Sequence, residues 1–99
     1  MNEHDAFAAL SNPTRRDILR AMKTPATSFS QSGDGDARNG VCVSAIQART
    51  GLSQSTVSAY MAALHRAGLV KAERRGQWTF YQRDEEGIAT FRRTIVEEL

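Results

Sequence analysis

The stretch from Gly51 to Val70, GLSQSTVSAYMAALHRAGLV, constrains this chain more than any other. Val57, Met61 and Leu64 fall at i, i+4 and i+7, so they share one face of a helix. Tyr60 lies beside that face, and Gln54, Ser55, Ser58 and Ala59 lie opposite it at the front. Ser53 is suited to cap the start, because its hydroxyl can accept from the free N–H groups of the first turn. Gly68 is suited to end it, because it tolerates the left-handed conformation that helix ends use. The pattern predicts an amphipathic helix over 53–67, bounded at both ends. Its first two turns carry SQSTVS, short hydroxyl and amide groups where a solvated helix carries Glu and Lys. Short polar side chains permit close approach to a second surface. Gln can pair with both hydrogen-bonding groups on an adenine edge, and Ser or Thr can reach a base or a phosphate.

The flanking residues give this helix a setting. Ser44 is expected to cap a short helix over Ala45 to Arg49, with Thr50-Gly51 as the turn into the next one. Helix, Gly-containing turn and capped helix form the helix-turn-helix pattern, which also occurs in helical domains with no nucleic-acid role. The following residues separate the two cases. Leu69 to Arg75 and Trp78 to Gln82 are short runs with β-branched and aromatic members, and Gly76 between them supplies the positive φ of a tight hairpin. The hairpin tip reads RRGQ, and a basic tip can lie on a DNA backbone or enter the minor groove. The expected fold is mostly α with a small β-hairpin, a winged helix-turn-helix. On this reading Gln54, Ser55, Ser58 and Tyr60 meet base edges. Ser53 and Thr56 hold the helix start or a phosphate, and Arg74, Arg75 and Gln77 form the wing contact.

GLSQSTVSAYMAALHRAGLVKAERRGQWTFYQ resembles the core of the ArsR/SmtB family of bacterial winged-helix repressors, and FAALSNPTRRDILRAM resembles the same family's opening. The resemblance covers the chain apart from Thr24 to Gly40. It implies about five helices plus a wing, a homodimer built through the first and last helices, and binding of a double-stranded operator. Many members of the family sense metals, and the common thiolate site is a Cys-x-Cys. The matching residues here are Cys42-Val43-Ser44, where an oxygen replaces the second sulfur, a poor ligand for soft metals. A further family site needs His on the last helix, and this helix has none. The remaining His4 and His65 do not complete a four-ligand zinc site. No metal and no cofactor are expected, and the inducer is unknown.

Taken in order, Glu3 to Leu10 reads as a short helix, Pro13 restarts the chain, and Thr14 to Lys23 forms a second helix. Ile18, Leu19 and Met22 turn inward. Arg15, Arg16 and Arg20 stay outside as solvated charges, with a DNA phosphate as the alternative for Arg15 or Arg16. Thr24 to Gly40, TPATSFSQSGDGDARNG, has one apolar residue larger than Ala and is expected to be a mobile loop. Its DGDARNG lacks the carboxylate spacing of a calcium loop. Val41 to Val43 is a minor strand. Asp84 to Leu99 is the last helix, favoured at its start by Asp84, Glu85 and Glu86. Ile88, Phe91, Ile95 and Leu99 make an apolar stripe along it. With Phe7 and Leu10, that stripe is the expected dimer interface, or else it closes the chain's own core.

Ninety-nine residues make a single domain, 1–99, with a core modest enough that dimerisation would help it. A net charge of +2 permits DNA binding without demanding it. One cysteine excludes an internal disulfide and fits a reducing cytoplasm. The start of the chain lacks the charge and apolar pattern of a signal peptide, and no apolar run approaches the ~20 residues that span a membrane. No nucleophile-and-base set or phosphate-binding loop points to an enzyme. The sequence therefore reads as a DNA-binding transcriptional regulator, a dimeric repressor. The alternatives are a winged-helix protein-interaction module, supported by Ala59, Ala62 and Ala63, and a repressor with Cys42 as a redox switch.

Overall fold

A computed structural model of the chain describes residues 1–29 and 40–99. Six helices and three strands follow one another as α1 (Glu3–Leu10), α2 (Pro13–Ala21), α3 (Pro25–Ser28), β1 (Val41–Cys42), α4 (Val43–Thr50), α5 (Gln54–Arg66), β2 (Val70–Arg75), β3 (Trp78–Arg83) and α6 (Glu85–Glu98). Short polar side chains set the helix starts. Asn2, Asn12, Ser53 and Asp84 cap α1, α2, α5 and α6, each accepting from a backbone N–H three residues on. Pro13 occupies the first turn of α2, where no intrahelical N–H bond is lost. Gly51 ends α4 at φ 74°, the left-handed corner of the helix-turn-helix.

The strands form one antiparallel sheet in the order β1-β3-β2. Val41 and Cys42 pair with Tyr81 and Phe80, so the minor strand lies on the wing hairpin as expected. Arg75 faces Trp78 across the hairpin end, leaving Gly76 and Gln77 as a two-residue turn. Gly76 has φ +61° and Gln77 does not have positive φ, the sign pattern of a II′ turn with glycine first.

Val57, Met61 and Leu64 are each fully buried and anchor α5 in a core shared with Ile18, Ile46 and Leu69. The end of α5 is held by its neighbours. Asn2 N–H donates to Ala67 O, and Asp84 N–H donates to Leu69 O. Gly87 in α6 lies directly against the Gly68 carbonyl, so α6 starts tight on the end of α5.

Two expectations are corrected here. The expected loop 24–40 begins with α3, and Phe29 is buried at 4% exposure with the Arg49 guanidinium 5.6 Å from its ring centroid. The rest of that loop expectation, residues 30–39, lies outside the described residues. The second correction concerns Ser44, which does not cap α4. The helix begins at Val43 with Cys42 in the capping position and no side-chain cap bond, because β1 pairing ends at Cys42 and the chain turns at once.

Candidate nucleic-acid interface

Helix α5 has two flanks that serve different ends. At about 100° per residue, Gln54 and Ser58 lie on one side of the buried Val57, Met61 and Leu64. Thr56, Tyr60 and Ala63 lie on the other, and Ser55, Ala59 and Ala62 point outward between them. On the first flank the chain opens a cleft of about 420 Å³ between α5, α4 and the hairpin. Gln54, Ser58, Arg74 and Gln77 all line it. Ser55 is exposed nearby on the outward face, and its hydroxyl lies 3.2 Å from that of Ser53. Four of the residues singled out for recognition are thus brought together from α5 and the hairpin that follows it.

The second flank faces α1 and α2. Tyr60 is half-buried there, and its hydroxyl oxygen accepts from Asn12 Nδ2 at 3.3 Å. The Arg15 guanidinium stands 5.0 Å from the Tyr60 ring centroid. Arg15 also donates from Nε to Ala9 O at 2.7 Å and from Nη2 to Ala8 O at 3.3 Å. The structure places Tyr60 away from the cleft that holds Gln54 and Ser58. Thr56 is half-buried at the helix start, where Ser53 Oγ accepts from its N–H at 3.2 Å and donates to its Oγ1 at 3.0 Å. Arg16 donates from Nη1 to Leu10 O at 2.6 Å, and Arg20 meets Asp17 at 3.2 Å. Arg15 and Arg16 therefore satisfy the last carbonyls of α1, which a helix end leaves open.

The wing arginines differ from each other. Arg74 is exposed, and its Nε donates to Gly76 O at 3.0 Å, so the residue braces the turn at the cleft edge. Arg75 lies back on the hairpin, with its guanidinium 3.9 Å from the Phe80 centroid and 3.6 Å from the Glu73 carboxylate. Strand alternation explains the contrast, since neighbours in a strand point to opposite faces. At the far end of β3, Arg83 is nearly buried. It donates to Leu19 O at 2.9 Å and pairs with Glu85 at 2.8 Å. The Arg83 hydrogen bond is the main reason the Glu85 carboxyl sits below its ordinary pKa, and burial raises that of Tyr81.

The apolar stripe of α6 divides along its length. Ile88 and Phe91 are buried in the chain's own core, and Leu10 packs against that core. Phe7 is 42% exposed and meets Phe91 edge to face at 5.0 Å between centroids. Ile95 and Leu99 are exposed, as is Val96, which the spacing argument passed over. The sequence reading also missed Trp78, 40% exposed on the cleft, and Gln47, which lines it from α4. Counting both as interface residues required knowing that α4 and the hairpin converge. Cys42 is 2% exposed with its Sγ 3.2 Å from Ser44 Oγ. Among the described residues, no group of three His, Cys, Asp or Glu side chains is placed to hold a metal ion, and no helix is long and apolar enough to cross a membrane.

Comparison with known proteins fits this geometry. A helix-turn-helix domain model matches residues 10–73. The uncharacterized HTH-type transcriptional regulator YbzH of Bacillus subtilis is 46% identical over 89 residues, which span 89% of this chain and 89% of that protein. A Halobacterium salinarum protein named as an arsenical resistance operon repressor, ArsR2, is 35% identical over 79 residues, 80% of this chain and 56% of its own length. A solved ArsR family transcriptional regulator superimposes with a TM-score of 0.71 at 17% identity, covering 96% of this chain and 84% of the other, a likeness of fold alone. A homodimeric winged helix-turn-helix DNA-binding domain from Mycobacterium bovis superimposes with a TM-score of 0.60 at 28% identity, covering 94% and 74%. With the helix-turn-helix core, the wing and these relatives in agreement, the chain belongs to the ArsR family of winged helix-turn-helix transcriptional regulators.

Proposed function

We propose that the chain is a homodimeric repressor that reads a palindromic DNA operator in the cytoplasm by binding alone, without a catalytic step. The observation that carries this reading is the meeting of Gln54 and Ser58 with Arg74 and Gln77 around one cleft. A helix front of short hydrogen-bonding groups beside a basic hairpin suits a major groove and the backbone next to it. Gln54, Ser55 and Ser58 read base edges, and Arg74 with Gln77 holds the backbone. Thr56 and Ser53 fix the helix start. Tyr60 positions α5 against α1 and α2, and Arg75 stiffens the wing. The exposed Phe7, Ile95, Val96 and Leu99, continuous with α1 and α6, form the face between two copies. The two recognition helices then address half-sites about one helical turn apart, ~34 Å or a multiple.

A second reading, a protein-interaction module, is favoured by the exposed Ala59 and Ala62 on the outward face of α5. Salt separates the two, because counterion release makes DNA affinity fall steeply with ionic strength. The test is fluorescence anisotropy of the purified chain with a duplex selected from a random pool and with a scrambled control. The repressor reading expects tight, salt-sensitive binding to the selected duplex, and Gln54→Ala weakening that duplex more than the control. Selection that enriches no sequence, with no binding at low salt by a folded dimer, refutes it.

A further inference from the structure

A hollow of about 350 Å³ lies between α1 and the second flank of α5, across that helix from the cleft lined by Gln54 and Ser58. Its size is near the lower end of the ~300–1,000 Å³ range that holds small molecules. The two helices run antiparallel. Asn2 N–H at the start of α1 donates to Ala67 O at the end of α5, and Asn12 just past α1 reaches the Tyr60 hydroxyl. Ala8, Ala9, Ala59 and Ala63 give the hollow its apolar lining, and its polar groups divide between the two ends. Arg15 and Tyr60 stand at one end, Asp5 and Arg66 at the other, about 9 Å apart along α5. The Arg15 guanidinium is fixed by its bonds to Ala9 O and Ala8 O and by the Tyr60 ring beneath it. Among the described residues, its Nη1 has no hydrogen-bond partner, and Asp5 and Arg66 have no side-chain hydrogen bond or ion pair. Phe7 points to the opposite side of α1, so the hollow does not share a face with the proposed dimer contact.

We infer that this hollow is an effector site for a small organic anion, an aromatic carboxylate about 9 Å long with a hydroxyl at its far end. The carboxylate accepts from Arg15 Nη1 in a charge-assisted hydrogen bond. The ring lies over the alanine methyls, which are too short to rise into the space. The hydroxyl donates to Asp5 beside Arg66. Two guanidiniums against one carboxylate favour an anion over a cation. Arg15 and Tyr60 also hold α5 against α1 and α2, so an occupant bears on the pose of the helix proposed to read bases. The effector role rests on the DNA-binding reading, whereas the binding site stands without it.

The full chain, carrying carbon-13 at its alanine methyls, would be titrated by NMR with para-hydroxyphenylacetate, with phenylacetate and with the neutral para-hydroxyphenylacetamide. Anisotropy would read its affinity for the selected duplex with and without saturating para-hydroxyphenylacetate. The Ala8, Ala59 and Ala63 signals should shift saturably with para-hydroxyphenylacetate. Phenylacetate should bind about threefold to tenfold more weakly, and the amide about tenfold more weakly. Asp5→Ala should erase the gain from the hydroxyl. Ala8→Leu, at an exposed position where a longer side chain fills the hollow, should abolish binding. Circular dichroism would show that both variants fold. Filling the site should change duplex affinity about fivefold or more. Equal binding of acid and amide, shifts that persist in Ala8→Leu, or no saturable shift with any probe overturns the site. A filled site with unchanged duplex affinity overturns the effector role. A chain that takes the acid but binds no duplex at low salt overturns the repressor reading and the effector role together, while the site stands.

Discussion

Replacing Tyr60 by Phe tests whether that residue reads DNA or holds the helix that does. The substitution removes one oxygen, which accepts from Asn12 Nδ2 at 3.3 Å in a partly buried setting. A typical intramolecular hydrogen bond contributes ~0.5–1.5 kcal/mol net. The length of this one and the chance for Asn12 to turn toward water place the loss near ~0.5–1 kcal/mol. The ring remains, so the Arg15 cation–π contact at 5.0 Å is kept. For a domain of this size that loss lowers Tm by roughly 2–8 °C. Tyr60→Ala also removes the half-buried ring and its cation–π contact, for a cost of about 2–4 kcal/mol in all. The assay pairs thermal melts at fixed protein concentration with anisotropy against the selected duplex and versions altered at one base pair. Tyr60→Phe should melt earlier and discriminate between duplexes as well as the parent. An unchanged Tm with lost discrimination at one base pair would show the hydroxyl on a base edge and refute the positioning argument.

Gly87→Ala should destabilise the fold by about 1–3 kcal/mol or more, because a Cβ there meets the Gly68 carbonyl and neither backbone can give way cheaply; chemical denaturation measures it. Arg74→Ala should reduce the slope of log affinity against log salt by about 1, whereas Arg75→Ala should lower Tm by removing the stack on Phe80 and move that slope less; anisotropy at several salt concentrations distinguishes them. Val96→Asp with Leu99→Asp should shift the chain from dimer to monomer in sedimentation while leaving helicity intact, since both side chains are more than 80% exposed. Burial raises the Tyr81 pKa, so folding favours its neutral form. Stability should be unaffected by this group below its ordinary value of 10.0 and should fall as pH climbs from there through the folded value, and Tyr81→Phe should flatten that limb of the pH profile.

The sequence carried most of the fold because local signals agreed with one another. Val57, Met61 and Leu64 at helical spacing, between Ser53 and Gly68, could bury themselves in one way only. The hairpin followed from Gly76 between two β-rich runs. What escaped was set by tertiary partners. Both Cys42 and Ser44 can precede a helix, and the pairing of Cys42 with Phe80 decides between them. Phe29 stood alone in a polar run, and its partner Arg49 lies twenty residues along. The α6 stripe keeps a helical spacing throughout, yet Ile88 and Phe91 reach the core while Ile95 and Leu99 do not, because the first half of the helix overlies the chain's own core and the second half extends past it. In the candidate site, Gln54, Ser58, Arg74 and Gln77 were legible as chemistry, and their convergence was not. Tyr60 and Arg75 had the right chemistry for DNA, but their partners lie within the protein.

The two flanks of α5 have a consequence for how such a regulator can change its operator. Gln54, Ser55 and Ser58 are exposed, and exposed substitutions away from caps and strained backbone usually move stability by less than ~0.5 kcal/mol. Tyr60 and Thr56 are tied to Asn12, Arg15 and Ser53, so changes there alter the pose of the whole helix. A shift of pose misaligns every base contact together, because the side chains on a rigid helix move as one. On the proposed reading of bases by Gln54, Ser55 and Ser58, base preference can drift one position at a time through the first flank, while the second flank fixes the frame in which those positions are read. Altering Gln54 or Ser58 should exchange one preferred base pair for another at full stability, and altering the Tyr60 flank should weaken all sequences in step. The separation holds only if α5 is rigid, which its buried Val57, Met61 and Leu64 and its tethered C-terminal end provide.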